Sequence, residues 1–362
     1  MDKKDIYLWL LSIGGIGNKT IEKIENNIDD ITNLIELTDK DILKIENINL
    51  NIRENIVKYK SYAYIDSLKE KLYKHGVSYI GKNEDIYPTN LKNIYNAPSI
   101  LFYKGDINQL NKFSLAMVGS RKPTAYGIWC AQNLSEKLSN CNINIVSGMA
   151  MGIDSYSHKG CIKGKSKTIA VLGSSVDNPL PKKNLNLSNK ILEDGGLLIS
   201  EYNIGHIVAP SNYPARNRII SGLSDGVIVV EASIKSGALI TVDFALEQGK
   251  NVFAVPGNIN SDMSKGCNRI IKEGAKLVDD IEDIINEYNF KKSKIITDIS
   301  DSSALTYEQQ SIFDIIKLKG SLHIDRICDY TKMDVQDINC ILNVLEIEDK
   351  IIEIRNNIYS VK

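Results

Sequence analysis

The stretch NYPARNRIISGLSD (212–225) sets Arg216 and Arg218 two residues apart, behind Pro214 and ahead of a run of small residues. Only seven of the 44 Lys+Arg residues are arginine, so a loop in need of charge alone would carry lysine. Arginine offers a planar fork that grips a phosphate through two parallel hydrogen bonds and stacks on flat rings, whereas lysine offers a point charge. A further arginine stands in VGSRKPTAYG (118–127), where Gly119 lets backbone approach a ligand closely and Ser120 and Thr124 are suited to cap a following helix. Arg121 and Lys122 are then expected beside a helix N-terminus, whose free N–H groups and dipole favour an anion. Lys182 and Lys183 follow a proline turn in NPLPKKN (178–184), and Lys235 precedes Ser236 and Gly237 at the opening of another helix. Forked cations, bare amides and small residues together suit the holding of a flexible polyanion. Each has a plainer alternative: a helix start with two solvated cations at 121–122, and an ion pair from Arg216 or Arg218 to Glu201 or Glu231. Arg216 and Arg218 cannot share one helix face, so one is expected to reach outward while the other anchors the loop.

Other constellations point to less. In SGMAMGIDSYSHKG (147–160), Asp154 and His158 fall four residues apart on one helical face, the spacing of an acid–base pair. No nucleophile or metal ligand accompanies them, and a helix cap with a packed histidine is the preferred reading. GCIKGKS (160–166) imitates a phosphate-binding P-loop but has three residues between its glycines where four are needed, and it precedes a strand instead of following one. What remains there is a run of Lys159, Lys163, Lys165 and Lys167. No G-x-G-x-x-G occurs, so no dinucleotide, and no other cofactor, is expected. Cysteines 130, 141, 161, 267, 328 and 340 and histidines 75, 158, 206 and 323 have no zinc spacing, and such scattered thiols suit a reducing cytosol.

The elements that must position these residues follow from periodicity. A chain of 362 residues with 43% apolar and 25% charged content implies two or three globular domains. The net charge of −1 requires any nucleic-acid site to be a local patch. The apolar run after MDKKD is too short for a signal peptide, and no run approaches the roughly 18 residues of a membrane helix, so a cytoplasmic location without membrane contact is expected. Residues 1–75 repeat apolar residues at helical spacing around SIGGIGNKT (12–20), either a hairpin of the helix-hairpin-helix or SAM-like kind facing a phosphate, or a helix–helix connection with no ligand. Over 76–288, the runs LAMVGS, INIVSG, TIAVLGS, LLISEY, GVIVVEA and NVFAVPG alternate with helical patterns, which predicts an α/β fold with a doubly wound, Rossmann-like parallel sheet. Ligands of such sheets bind beyond the carboxyl ends of the strands, where the cations above are placed. Residues 289–304 read as a polar linker. Residues 305–362 read as three helices, the first opened by a capping box at Thr306–Gln309, and a terminal hairpin around Asn356–Asn357, a winged helix. Its third helix is acidic and apolar, which favours a protein contact over a DNA groove.

With these motifs in place, the chain resembles the DNA-processing protein A (DprA/Smf) family. VGSRKPT, SGMAMGID with His158, TIAVLG, SEY, YPARNRIISGLS, VVEASIKSGALIT, AVPGN and GCNRIIKEGA occur in family order over roughly 80–280. Tyr213 replaces a common Phe, Leu180 an aromatic and Ser157 an Ala. The resemblance implies a non-catalytic protein that binds single-stranded DNA, protects it as it enters during natural transformation, displaces or coexists with single-strand binding protein, and loads RecA. It implies a homodimer through the sheet domain. The DNA-contact role passes to Gly119, Ser120, Arg121 and Lys122, to Lys182 and Lys183, to Arg216 with Asn217 and Arg218, and to Lys235, Ser236 and Gly237. Tyr126, Tyr156 and Tyr213 are the candidate base platforms. The rival expectation is a phosphoribohydrolase-like, nucleotide-cleaving enzyme on the same architecture, although KSGALIT stands where such enzymes carry P-G-G-x-G-T.

Overall fold

All six apolar runs form strands of one sheet, because each is buried on both faces and leaves no polar side to turn to water. The computed structural model describes residues 1–288, 307–331, 333–347, 350–355 and 357–361. The chain divides into two units, Met1–Phe290 and Lys291–Lys362.

The first unit begins with five helices: α1 (Lys3–Ser12), α2 (Asn18–Glu25), α3 (Asp39–Leu43), α4 (Leu50–Lys58) and α5 (Tyr62–Lys74). Thr38, Asn49 and Ser61 cap the last three, each side chain accepting from a backbone N–H of the first turn. α1 buries the unbroken run Ile6–Leu10, since it has neighbours on more than one side. It packs on the sheet edge as well as on α2 and α5, and one apolar core runs from Ile6, Trp9 and Leu34 into Phe102, Ala170 and Leu198 of the sheet. No core boundary therefore falls at residue 75.

The sheet strands are β1 (Ser78–Gly81), β2 (Ile100–Gly105), β3 (Ser114–Val118), β4 (Asn144–Ser147), β5 (Thr168–Val171), β6 (Leu197–Ser200), β7 (Gly226–Val229), β8 (Asn251–Ala254) and β9 (Lys276–Leu277). Their spatial order is β1-β2-β6-β5-β4-β3-β7-β8-β9. The stretch from β6 to β9 is parallel, with Ala116 of β3 paired to Val146 of β4 on one side and Val227 of β7 on the other. The doubly wound parallel sheet is mostly borne out, but at one edge β1 and β2 add two antiparallel strands. These lie outside the alternation of strand and helix that reveals βαβ units. Connecting helices are α6 (Thr89–Lys92), α7 (Ala125–Asn140), α8 (Ile153–Cys161), α9 (Leu185–Glu193), α10 (Asn212–Leu223), α11 (Ala238–Glu247), α12 (Lys265–Lys272) and α13 (Glu282–Glu287). From β3 the chain winds outward through β4, β5 and β6, then returns and winds the other way through β7, β8 and β9. The topological switch point, where crevices open at the strand ends, lies between β3 and β7.

The second unit holds α14 (Tyr307–Lys319), α15 (Ile324–Thr331) and α16 (Val335–Ile347), with β10 (Leu322–His323), β11 (Ile351–Arg355) and β12 (Ile358–Val361). The strands form an antiparallel sheet in the order β10-β12-β11. Ile316, Ile327, Leu342, Leu345 and Tyr359 share its core. The expected linker 289–304 and capping residue Thr306 lie outside the described residues.

Candidate nucleic-acid interface

Three turns interlock at the switch point. Beyond β3 and β7, Val230 N–H donates to Val118 O at 3.1 Å and Ser120 N–H to Glu231 O at 2.6 Å. A Cβ on Gly119 would meet Glu231 O at 2.8 Å and Ile153 Cγ1 at 2.7 Å, so only glycine permits this approach. Gly152 enters α8 at φ +85°, and a Cβ there would strike the Ser120 carbonyl and the Arg121 backbone. Ile153 N–H completes the junction by donating to Ser120 O at 3.0 Å. The Glu231 carboxylate accepts from Thr124 N–H at 2.8 Å and from the Thr124 hydroxyl at 2.7 Å, while Thr124 Oγ1 caps α7 by accepting from Gly127 N–H at 3.3 Å.

Around this framework opens a crevice of about 510 Å³, lined by the Gly119–Lys122 turn, Asp154, Tyr213, Arg216, Asn217, the Ser236–Gly237 start of α11 and Met263. Arg121 and Lys122 are exposed, and the Arg121 guanidinium lies over the Tyr213 ring, 5.8 Å from its centre. Lys235 and Gly237 are exposed, and Ser236 is half-buried. Asn217 spans the crevice wall, donating from Nδ2 to Gly237 O at 3.4 Å. Among the described residues, none of Arg121, Lys122, Lys182, Lys183 and Lys235 takes part in an ion pair. No described carboxylate neutralises them at ion-pair distance.

The opening pair of arginines behaves differently from expectation. Arg216 is not an outward fork: it is 3% exposed and forms part of the crevice floor, where its Nη1 donates to the carbonyls of Gly148 and Val171. Its Nε is buried without a hydrogen-bond partner among the described residues. Arg218 does not line the crevice; it is buried and ion-paired with Glu201, the alternative weighed above. Residues two apart on a helix point about 200° from one another, which fits this division. Lys182 and Lys183 are exposed but lie outside the crevice lining. Asn184 ties their turn to the β4–α8 loop, donating to Met149 O at 2.8 Å, and Lys182 Nζ bonds to Asn178 Oδ1.

Asp154 and His158 do not pair. Asp154 Oδ2 accepts from Ala150 N–H at 3.3 Å, and burial raises its pKa against the opposing pull of Arg216. The Thr168 hydroxyl donates to Ile145 O at 2.7 Å, so at 2.6 Å from His158 Nδ1 it accepts the imidazole N–H. Burial, aided by Arg216, drives the His158 pKa down to about 3, so the ring is neutral. The reading of Asp154 as a plain helix cap missed its place in the crevice lining; the only signal was its position just after a run of small residues. In the N-terminal hairpin, Asn18 Oδ1 accepts from Ser99 N–H at 2.9 Å and its Nδ2 donates to Glu201 at 3.4 Å, so the start of α2 is tied to the sheet unit.

Residues 78–289 match the family model of DNA recombination-mediator protein A. The chain is 44% identical over 207 residues to DNA processing protein DprA of Streptococcus pneumoniae, an alignment covering 57% of this chain and 73% of that protein. The X-ray structure of DprA from Streptococcus pneumoniae superposes with a TM-score of 0.69 at 36% identity, covering 79% of this chain and 99% of that one. DprA from Helicobacter pylori, described for its single-stranded DNA binding mode, superposes with a TM-score of 0.53 at 28% identity, over 59% of this chain and 95% of that one.

Proposed function

The chain belongs to the DNA recombination-mediator protein A family, and from that premise we propose that it binds single-stranded DNA in the switch-point crevice and breaks no bond in it. The observation that carries this reading is the contrast between the crevice's cations and its acids. Among the described residues, Arg121 and Lys122 line the crevice exposed and outside any ion pair, with exposed Lys235 just outside the lining. The lining acid Asp154, by contrast, accepts from Ala150 N–H and is pushed toward its neutral form by burial, and Glu231 behind the turn is engaged by Thr124. A groove of positive charge beside a helix start follows a phosphate backbone without reading sequence. Arg121 on the Tyr213 ring supplies a flat cationic face for a base, and Arg216 keeps the floor positive. Lys182 and Lys183, on the neighbouring turn, continue the charged rim.

Within this reading the protein protects DNA arriving in transformation, gives way to or coexists with single-strand binding protein, and delivers the strand to RecA as a cytoplasmic homodimer. The second unit, whose described residues form three helices with a small antiparallel sheet, acts as a winged helix that contacts protein. Fluorescence anisotropy with labelled oligo-dT against a duplex of equal length is the deciding measurement. Salt-sensitive binding that favours the single strand is expected; equal affinity for both, or none for oligo-dT, overturns the proposal.

A further inference from the structure

A strand longer than the crevice must leave it over a surface that accepts its bases. One wall of the crevice includes Met263, whose sulfur lies 3.5 Å from Ser120 Oγ. The loop carrying Met263 begins at Pro256, where the carbonyl accepts a 2.8 Å hydrogen bond from the Tyr126 hydroxyl in the first turn of α7. The wall is thus continuous from the crevice onto α7. One turn further along that helix, about 4.5 Å of axial rise, stands Trp129, 62% exposed. Residues three apart share a helix face, so Tyr126, itself 46% exposed, and Trp129 form one aromatic strip leading away from Arg121 and Lys122.

The charge along this strip suits a polyanion. From Ala125 to Ser135 α7 carries no acid, and its first, Glu136, lies 3.9 Å from Lys163. The neighbours of Trp129 toward the C-terminus are Gln132 and Asn133. A large indole costs solubility on a bare helix surface, and an exposed π-face beside unpaired cations is what sequence-tolerant binding of single strands uses. We infer that Trp129 is a stacking platform for bases of the single strand as it leaves the crevice along α7. The inference rests on the reading of the crevice as a single-strand site.

The experiment exploits the tryptophan content. The chain has two tryptophans; Trp9 is fully buried, with its indole N–H donating to Tyr59 O at 2.9 Å, so quenching by DNA reports on Trp129. Titration of the full chain with long oligo-dT, followed by intrinsic fluorescence and by anisotropy of a labelled oligonucleotide, is expected to show quenching in step with binding. Trp129→Ala is expected to weaken binding of the long oligonucleotide about 5- to 150-fold, the scale of one lost base stack, with Trp129→Phe recovering most of the loss. Binding by anisotropy without quenching, or full affinity in Trp129→Ala, overturns the role of Trp129 and leaves the crevice reading intact. No binding of the wild type by anisotropy removes both. A change of molecular mass in Trp129→Ala by light scattering, at unchanged DNA affinity, makes the residue a protein-contact site and refutes the inference.

Discussion

Arg218 donates from Nη2 to Glu201 Oε2 with both side chains about nine-tenths buried, on the side of α10 away from the crevice. Arg218 Nη1 is left buried without a hydrogen-bond partner among the described residues. A buried pair is weak evidence of net stabilisation, but removing one member strands the other charge. Glu201→Gln is expected to cost ~3–5 kcal/mol of folding stability, and the double change Arg218→Met, Glu201→Leu to cost less than the sum of the two single changes. Urea denaturation of the set measures this; strict additivity would show that the two groups do not depend on one another.

Arg121 and Arg216 are expected to separate binding from folding. Arg121 is exposed, so Arg121→Ala should leave the urea midpoint unchanged. It should weaken oligo-dT binding by ~1–3 kcal/mol and lower the salt slope by ~0.7. Arg216 is part of the interior scaffold through Gly148 and Val171, so Arg216→Ala should lower both affinity and stability. A salt titration by anisotropy beside a denaturation curve distinguishes the two; identical behaviour of the variants would refute the division.

Glu231 is the residue on which a nucleotide-cleaving enzyme would depend at this place. Both its oxygens are occupied by Thr124. Glu231→Gln keeps the shape but replaces a charged acceptor by a neutral amide, so the charge-assisted bond from Thr124 N–H weakens and the Thr124 hydroxyl must turn to accept, an expected loss of ~1–3 kcal/mol in stability. Neither wild type nor variant is expected to release free base from nucleoside monophosphates. Base release by the wild type that Glu231→Gln abolishes would replace the binding role with hydrolysis.

His158 makes stability fall in acid. Its pKa is near 3 in the folded chain against an ordinary 6.5. Below pH 6.5 the unfolded chain takes up a proton that the folded chain refuses, so this contribution is complete above the ordinary value and is lost as pH falls toward the folded one. The slope approaches ~1.4 kcal/mol per pH unit between those limits. His158→Gln lacks the group, so its urea midpoint should decline less steeply from about pH 6 to pH 4. Parallel curves for wild type and variant would show that the imidazole is protonated in both states.

The six central strands were legible because continuous apolar runs between turn residues have few other uses, as in LAMV and GVIVV. β2 was hidden although ILFY is as apolar, because no helix-period segment joins it to a parallel neighbour and its partners are antiparallel. The rim cations Arg121, Lys122 and Lys235 could be placed from their positions after strands. The fate of Arg216 could not be: a guanidinium that serves two backbone carbonyls and one that serves a phosphate have the same local sequence. Only the packing of α10 against β4 and β5 distinguishes them. The engagement of Glu231 by Thr124 was equally invisible, since 107 residues separate them.

The apolar floor shared by α1 and the sheet edge has a practical consequence for anyone dissecting the chain. A fragment starting at residue 76, where the helical pattern gives way to strands, would strip Ile100, Phe102 and Leu198 of their cover and present them to water as a sticky surface. Trimming from the front is therefore expected to yield aggregates, and a workable minimal piece must retain its first helix.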